Sequence, residues 1–325
     1  MNVGRRTLVI VGAALAGLQP VLSVAQQPWQ PARPIHVLVS FPTGGHLDFI
    51  VRAIAPQLSE ALGQPVVVDN RPGANGNVAG ALAAKAAPDG LTLLATSADT
   101  VAVNPHLYRA DFDAVKDLVP IAQLIGLPLM IVARADFPAS DAKTLIAHLK
   151  SNPKTLGYAT PGIGSSLHLV GEVFQREAGV KLNHVPYKGL APAIADLLGG
   201  HVDLVFDAGV GLPQVREGRI KLLTVAARER LPEFPNVGTL REAGLAGFER
   251  DASFLLMAPA GTPAPIIERI NAEVVRAMRA DTIQAQLRAR NLRSIANSVP
   301  DARRALQDEI EGQARVIREV GIRVE

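Results

Sequence analysis

Ile35-His36-Val37-Leu38-Val39-Ser40-Phe41-Pro42-Thr43-Gly44-Gly45-His46-Leu47-Asp48 is the stretch that decides the fold. Its first five residues are rich in β-branched and aliphatic side chains and predict a strand, and residues 41–45 are turn formers. Past them, Ile50, Ile54, Leu58 and Leu62 recur every fourth residue, which sets them on one face of a helix that Gly63 stops. A strand, a glycine loop and an amphipathic helix in that order form the basic unit of α/β architecture.

The same unit recurs along the chain. A strand over 65–68 leads into the turn-rich loop 70–77, and an Ala-rich helix follows to Ala87. A third strand over 91–95 opens into Thr96-Ser97-Ala98-Asp99-Thr100. In the middle of the chain, strands are predicted over 129–133, 156–159 and 202–206, with helices over 143–150, around Leu169, Val173 and Phe174, and from Pro192 to Gly199-Gly200. Thr262-Pro263 is expected to cap a helix carrying Ile266, Ile270, Val274 and Met278, and a last amphipathic helix carries Leu306, Ile310, Ile317 and Val320. The expectation is largely parallel sheets. In open α/β sheets ligands bind beyond the carboxyl ends of strands. Those ends supply Gly44-Gly45, residues 96–100, residues 162–166 and Asp207, in two separate thirds of the chain, which predicts a site between two lobes.

The start of the chain points to export. Arg5 and Arg6 precede an apolar run over 8–18, and Ser23-Val24-Ala25 offers the small residues that a signal peptidase reads. A signal peptide over 1–25, cleaved near Ala25, and a periplasmic mature protein are therefore expected. Arg5-Arg6-Thr7-Leu8 resembles a twin-arginine signal in part, which leaves the export route open. There is no cysteine, which excludes disulfides, thiolate nucleophiles, cysteine-bound zinc and a lipoprotein anchor. Without Arg5 and Arg6 the 33 basic residues become 31 against 30 acidic ones, a net charge of +1 that gives no field for nucleic acid. Aromatic residues make up only 4%, with Trp29 the single tryptophan, which argues against a sugar ligand held by ring stacking.

Five strings in fixed order carry a family resemblance: residues 41–48, then Gly63-Gln64-Pro65-Val66-Val67-Val68-Asp69-Asn70-Arg71-Pro72-Gly73, then Thr160-Pro161-Gly162-Ile163-Gly164-Ser165-Ser166-Leu167-His168, Val185-Pro186-Tyr187-Lys188-Gly189, and Ala258-Pro259-Ala260-Gly261-Thr262-Pro263. From about Pro34 to the end, the chain resembles the Bug family, the substrate-binding proteins of tripartite tricarboxylate transporters. The resemblance implies a type II periplasmic-binding-protein fold, with two α/β lobes joined by crossover strands. It implies lobe 1 over 26–125, lobe 2 over 126–249 and a return to lobe 1 over 250–325. It also implies a monomer that holds a small carboxylate through backbone amides and water, and membrane transporter subunits as partners. A di- or tricarboxylate, an acidic amino acid or an aromatic acid would all fit. Three positions depart from the family pattern: Thr43 where proline is common, Asn75 within a turn usually made of glycine and alanine, and Asp251-Ala252-Ser253-Phe254, which lacks a usual tryptophan.

The candidate ligand residues are Phe41, Thr43, Gly44, Gly45 and Asp48; Ser97 and Thr100; Thr160, Gly162, Gly164, Ser165, Ser166 and His168; Tyr187, Lys188 and Gly189; and Asp207. Glycine lets backbone N–H groups approach an anion, and a helix start adds a favourable dipole. Two such starts, at Gly44-Gly45 and Gly164-Ser165-Ser166, would suit a ligand with carboxylates at both ends, and equally one carboxylate with a polar tail. Each candidate also has a purely structural reading: the glycines as turns, Asp48 as a complement to its helix dipole, Ser165 and Ser166 as N-caps, His168 as a packed histidine, Lys188 as a solvated loop residue, Asp207 as a turn former.

Other classes find little support. No Gly-x-Ser-x-Gly elbow occurs, and Gly73, Gly76 and Gly80 do not make a dinucleotide fingerprint. His36, His46, His106, His148, His168, His184 and His201 are scattered without a metal-ligand spacing. The sequence therefore reads as a binding protein rather than an enzyme, with no cofactor and no metal. A sensor subunit that docks a membrane signalling protein remains the alternative.

Overall fold

Residues 29–152, 156–227, 229–245, 248 and 251–320 are described by the structure, a computed structural model. The expected signal peptide over 1–25 and its cleavage point lie outside the described residues. The strands are β1 (Ile35–Val39), β2 (Val66–Asn70), β3 (Thr92–Ser97), β4 (Leu118–Leu127), β5 (Leu129–Arg134), β6 (Gly157–Thr160), β7 (Asn183–Pro186), β8 (Leu204–Asp207), β9 (Ile220–Ala226), β10 (Ala252–Pro259) and β11 (Arg293–Ser294). They form one sheet in the order β11-β4-β10-β3-β1-β2 and a second in the order β7-β6-β8-β5-β9. The chain leaves the first sheet at Leu127, enters the second at Leu129, and rejoins the first at Ala252.

The sheets are mixed, not largely parallel. β1 runs parallel to β2 and β3, and β6 runs parallel to β7 and β8. β10 is antiparallel to both β3 and β4, β11 is antiparallel to β4, and β5 is antiparallel to β8 and β9. β5 and β10, the strands that enter each sheet at a crossover, run against its parallel set, as does β11, whereas β4 and β9, the strands that leave, run with it. Among the described residues no helix lies between β4 and β5 or between β9 and β10, so neither crossing makes the helical return that parallel neighbours need.

Helix His46–Leu62 follows the fourfold spacing seen in the sequence. It buries Leu47, Ile50, Val51, Ile54, Leu58 and Leu62, and packs on β2 and on helix Ala264–Met278. Each such side chain, taken fully out of water, stabilises the fold by roughly 1.5–3 kcal/mol. Helix Ala264–Met278 starts as expected, but its N-cap residue is Pro263, without a side-chain cap. Thr262 Oγ1 donates instead to the Pro259 carbonyl at 2.7 Å, which ties the turn to the end of β10. Helices Ser166–Ala178 and Leu190–Leu198 cover the second sheet, and the long helix Val299–Val320 returns along β4 and reaches helix Ser166–Ala178 in the other lobe.

Candidate functional site

The loop between β1 and helix His46–Leu62 is shaped by an acid from its own helix. Asp48 is buried, and its Oδ2 accepts the Gly44 N–H at 3.0 Å. Its Oδ1 accepts from Arg52 Nε at 2.8 Å and from Asn70 Nδ2 at 3.0 Å, and Asn70 also donates to the Phe41 carbonyl. Burial alone would raise the Asp48 carboxyl, but the Gly44 amide, Asn70 and Arg52 outweigh it and hold the pKa below the usual carboxylate range. Gly45 is the N-cap residue in extended conformation, and no side chain caps the helix there. The first N–H groups of this helix are thus left for a partner from outside the chain's own side chains.

The corresponding loop of the second lobe is filled by the protein itself. Ser165 is the N-cap of helix Ser166–Ala178; its Oγ accepts the His168 N–H and donates to the Gly162 carbonyl at 2.8 Å. Asp99, the first residue of the short helix Asp99–Ala102 after β3 in the first lobe, reaches across to this helix start. Asp99 Oδ2 accepts the Ser166 N–H at 2.8 Å, and Oδ1 accepts the Ser166 hydroxyl at 2.5 Å. Two more first-lobe side chains grip the same loop: Asn75 Nδ2 donates to the Gly164 carbonyl at 3.1 Å, and Tyr108 donates to the Ile163 carbonyl at 2.6 Å. Asn75 sits in the left-handed region at φ 49, which asparagine tolerates better than most residues. Gly164 has φ 76, and a Cβ there would lie 2.9 Å from Leu107 Cδ1 and 3.3 Å from the Tyr108 ring, so only glycine lets the lobes approach this closely.

Between the two loops lies a cleft of about 190 Å³, lined from both lobes. Its walls are largely apolar, with Phe41, Leu127, Leu129, Pro161, Val210 and Phe254 among them. The Phe41 and Phe254 rings are 6.1 Å apart, so the segment without the family's usual tryptophan still presents an aromatic ring to the cleft. Lys188 lines the cleft from the second lobe, is exposed, and forms no ion pair among the described residues. His46 opens helix His46–Leu62 in the same lining. Burial pushes its imidazole down to about 4, against a raising contribution from the Ala208 backbone and with a further lowering by Arg290, so it is neutral at pH 7.

Of the sequence candidates, Phe41, Thr43, Gly44, Gly45, Ser97, Ser165, Ser166, Lys188 and Gly189 line this cleft. Asp48, Thr100, Thr160, Gly162, Gly164, His168, Tyr187 and Asp207 are not in its lining, and each turns to a neighbour of its own. Thr100 Oγ1 lies 2.6 Å from Thr96 Oγ1 and donates to the Asn75 carbonyl. Thr160 Oγ1 lies 2.7 Å from His184 Nε2, and the Gly162 carbonyl receives the Ser165 hydroxyl. His168 Nδ1 accepts the Gly164 N–H at 3.1 Å while its ring stacks on His184 at 4.0 Å, which fixes a neutral ring. Burial lowers the pKa of both histidines, that of His184 to about 3 with His168 adding to it. Tyr187 donates to Asp196 at 2.5 Å, and burial, then that acid, pushes its phenol up to about 12. Asp207 is fully buried and accepts the N–H groups of Val210 and Gly211, which makes it the former of the turn after β8.

Sequence reasoning missed His46, Asn75, Asp99 and Tyr108 as participants. Asp99 carried a signal, since a lone acid directly after a buried apolar strand has no local cation to meet. Asn75 carried another, as the residue that interrupts a glycine turn. Among the described residues no three His, Asp or Glu side chains gather as metal ligands, and no helix is long and apolar enough to cross a membrane.

Two mixed α/β lobes, joined by crossover segments around a cleft that both line, define a periplasmic-binding-protein fold. Within that class, the profile of the tripartite tricarboxylate transporter family receptor matches residues 50–322, and the chain belongs to this family. It is 34% identical to protein BugT of Bordetella pertussis (strain Tohama I) over 322 residues, which span 98% of each chain. Among solved structures it resembles R. palustris Rpa4515 with adipate, at 32% identity and a TM-score of 0.86 over 90% of this chain and 99% of that one. It also resembles MatC from Rhodopseudomonas palustris with bound malate, at 34% identity and a TM-score of 0.82 over 88% and 99%.

Proposed function

We propose that this chain is an exported receptor that captures a small organic carboxylate between its lobes and delivers it to the membrane subunits of a tripartite tricarboxylate-type transporter. The observation that carries this reading is the start of helix His46–Leu62. No side chain caps it, Gly44, Gly45 and His46 line the cleft, and Lys188 lines the same cleft from the opposite lobe. Backbone N–H groups and the helix dipole favour an anion at that point, and a cation across the cleft adds to the attraction. The adipate and malate named with two structural neighbours, and the family itself, support the same chemistry. Binding without turnover, a monomeric receptor and a periplasmic location belong to this proposal. Phe41, Thr43 and Gly189 would shape the site around the anion, while Asp48, Gly162, Gly164, His168 and Asp207 act behind it by holding the loops.

Thermal denaturation of the mature protein against a panel of mono-, di- and tricarboxylates tests the reading, since a ligand that binds only the folded state raises the melting temperature by mass action. A rise with at least one carboxylate, abolished in Gly45→Val, is the expected result. A flat response across the panel would overturn it.

A further inference from the structure

We propose that Asp99 is a specificity-determining residue that receives an ammonium group of the ligand, so that the cleft prefers an amino acid to the plain carboxylic acid of the same length. This rests on the carboxylate-receptor reading above and narrows it. Among the described residues the cleft lining holds three ionisable side chains, His46, Asp99 and Lys188. His46 is neutral at pH 7 and Lys188 is a cation of the second lobe, so the acid of this lining is Asp99, from the first.

Asp99 is buried and forms no ion pair among the described residues. Its partners are neutral: the Ser166 N–H at 2.8 Å on Oδ2, the Ser166 hydroxyl at 2.5 Å on Oδ1, and Ser97. A carboxylate has about four acceptor sites, so these donors leave one open. They also leave the charge without a counter-ion. Burial raises the Asp99 pKa, and the hydrogen bonds from Ser166 and Ser97 oppose this without cancelling it. The start of helix Ser166–Ala178 supplies only about half a positive charge. A buried carboxylate in that condition gains from a cation, and the side on which Asp99 borders open space is the ligand cleft. An ammonium ion placed there would lower the carboxyl again, so binding and ionisation reinforce each other.

The carboxylate seats do not make this choice. Helix His46–Leu62 and helix Leu190–Leu198 both start without a side-chain cap, the second at Gly189, and both starts line the cleft. They accept a carboxylate whether or not the ligand carries an amino group. Thr43, Ser97 and Asn75 add neutral polar groups to the lining, which attract neither charge strongly. Asp99 attracts an ammonium and repels a carboxylate.

Four matched pairs separate the two classes: propionate and L-alanine, succinate and L-aspartate, glutarate and L-glutamate, adipate and L-2-aminoadipate. Each amino acid differs from its partner by an ammonium group in place of one hydrogen. Titration calorimetry on the mature wild-type protein is expected to favour the amino member about fivefold or more in the pair that binds most tightly. Asp99→Asn keeps the volume, and its amide can accept the Ser166 N–H while donating to the Ser166 hydroxyl. It should weaken the amino acid about tenfold and tighten the plain acid about twofold, moving the two in opposite directions. A purely structural role would weaken both alike. A smaller wild-type preference, or none, overturns the inference whether or not Asp99→Asn folds by circular dichroism. So does a wild-type ratio that persists in the folded variant. Plain acids that bind without the preference refute the role of Asp99 alone, whereas no binding of any carboxylate refutes the receptor reading and this inference with it.

Discussion

The helices that begin at His46 and Ser166 both follow a strand and a glycine turn, yet their first N–H groups meet different fates. At His46 the nearby acid, Asp48, turns back to the Gly44 amide and leaves the helix start uncapped by any side chain. At Ser166 a capping serine and an acid from the opposite lobe take up the donors, and Asn75 and Tyr108 fasten the loop from outside. The same local sequence grammar therefore yields one uncapped helix start facing the cleft and one joint between lobes. What decides between them is whether a carboxylate of the chain itself can reach.

The sharpest way to break this comparison is to obstruct the open start. Gly45 has φ −75 and a Cβ there would make only an ordinary contact with the Pro42 carbonyl, so Gly45→Val should fold normally. It should still weaken carboxylate binding by about 100-fold or more, equivalent to about 2.7 kcal/mol, as measured by calorimetry. Ser165→Trp is not its equivalent in the second lobe, because Ser165 is buried and serves both the cap and the Gly162 turn. Asp99→Ala is the proper counterpart. By stranding two Ser166 donors it should lower stability by about 1–3 kcal/mol in urea melts and speed amide exchange near Ser166.

A pH titration probes how each loop is supported. His46 and His184 have folded pKa values of about 4 and about 3 against the ordinary 6.5, so the folded protein rejects protons that the unfolded chain accepts. Their contribution is complete above pH 6.5 and is lost as pH falls from there toward 4 and 3. The urea midpoint should therefore drop between pH 6.5 and 4, and His184→Gln should flatten that slope. The smallest effect is expected for Asn75→Gly. It removes the bond to the Gly164 carbonyl but also the left-handed strain, so stability should change by no more than about 1 kcal/mol while exchange at Gly164 accelerates several-fold.

Much of the fold was legible because β1, helix His46–Leu62 and helix Ser166–Ala178 carry their own periodicity. β4 and β10 were not marked. β4 contains Pro120, Gln123 and Gly126, residues that argue against a central strand. Pro120 is tolerated because the pairing with β10 shifts register between Leu256 and Met257, beside the Met257–Pro120 pair. Such a strand is specified by distant partners and not by its own pattern. At the site, the Gly44-Gly45 loop could be read from glycines ahead of a periodic helix. Thr160, His168 and Asp207 could not be sorted, because a polar residue at a strand end looks alike whether it faces a ligand or braces the loop. Asp99 stands out as an acid without a local cation, but its partner Ser166 lies 67 residues away in the other lobe, and no local spacing names it.

The place of β10 has a consequence for the order in which the molecule assembles. β3 and β4 are joined only through β10, which pairs with each of them and comes about 125 residues after Leu127 in the chain. A chain emerging N-terminus first can complete the second sheet, whose strands all lie between Leu129 and Ala226, while the first still has an open slot with two unpaired edges. Those edges stay exposed to other chains until residues 252–259 arrive. A chaperone that shields β3 and β4 during that interval, or slow release that holds back the C-terminal quarter, would govern the yield of folded receptor more than the stability of the finished protein does.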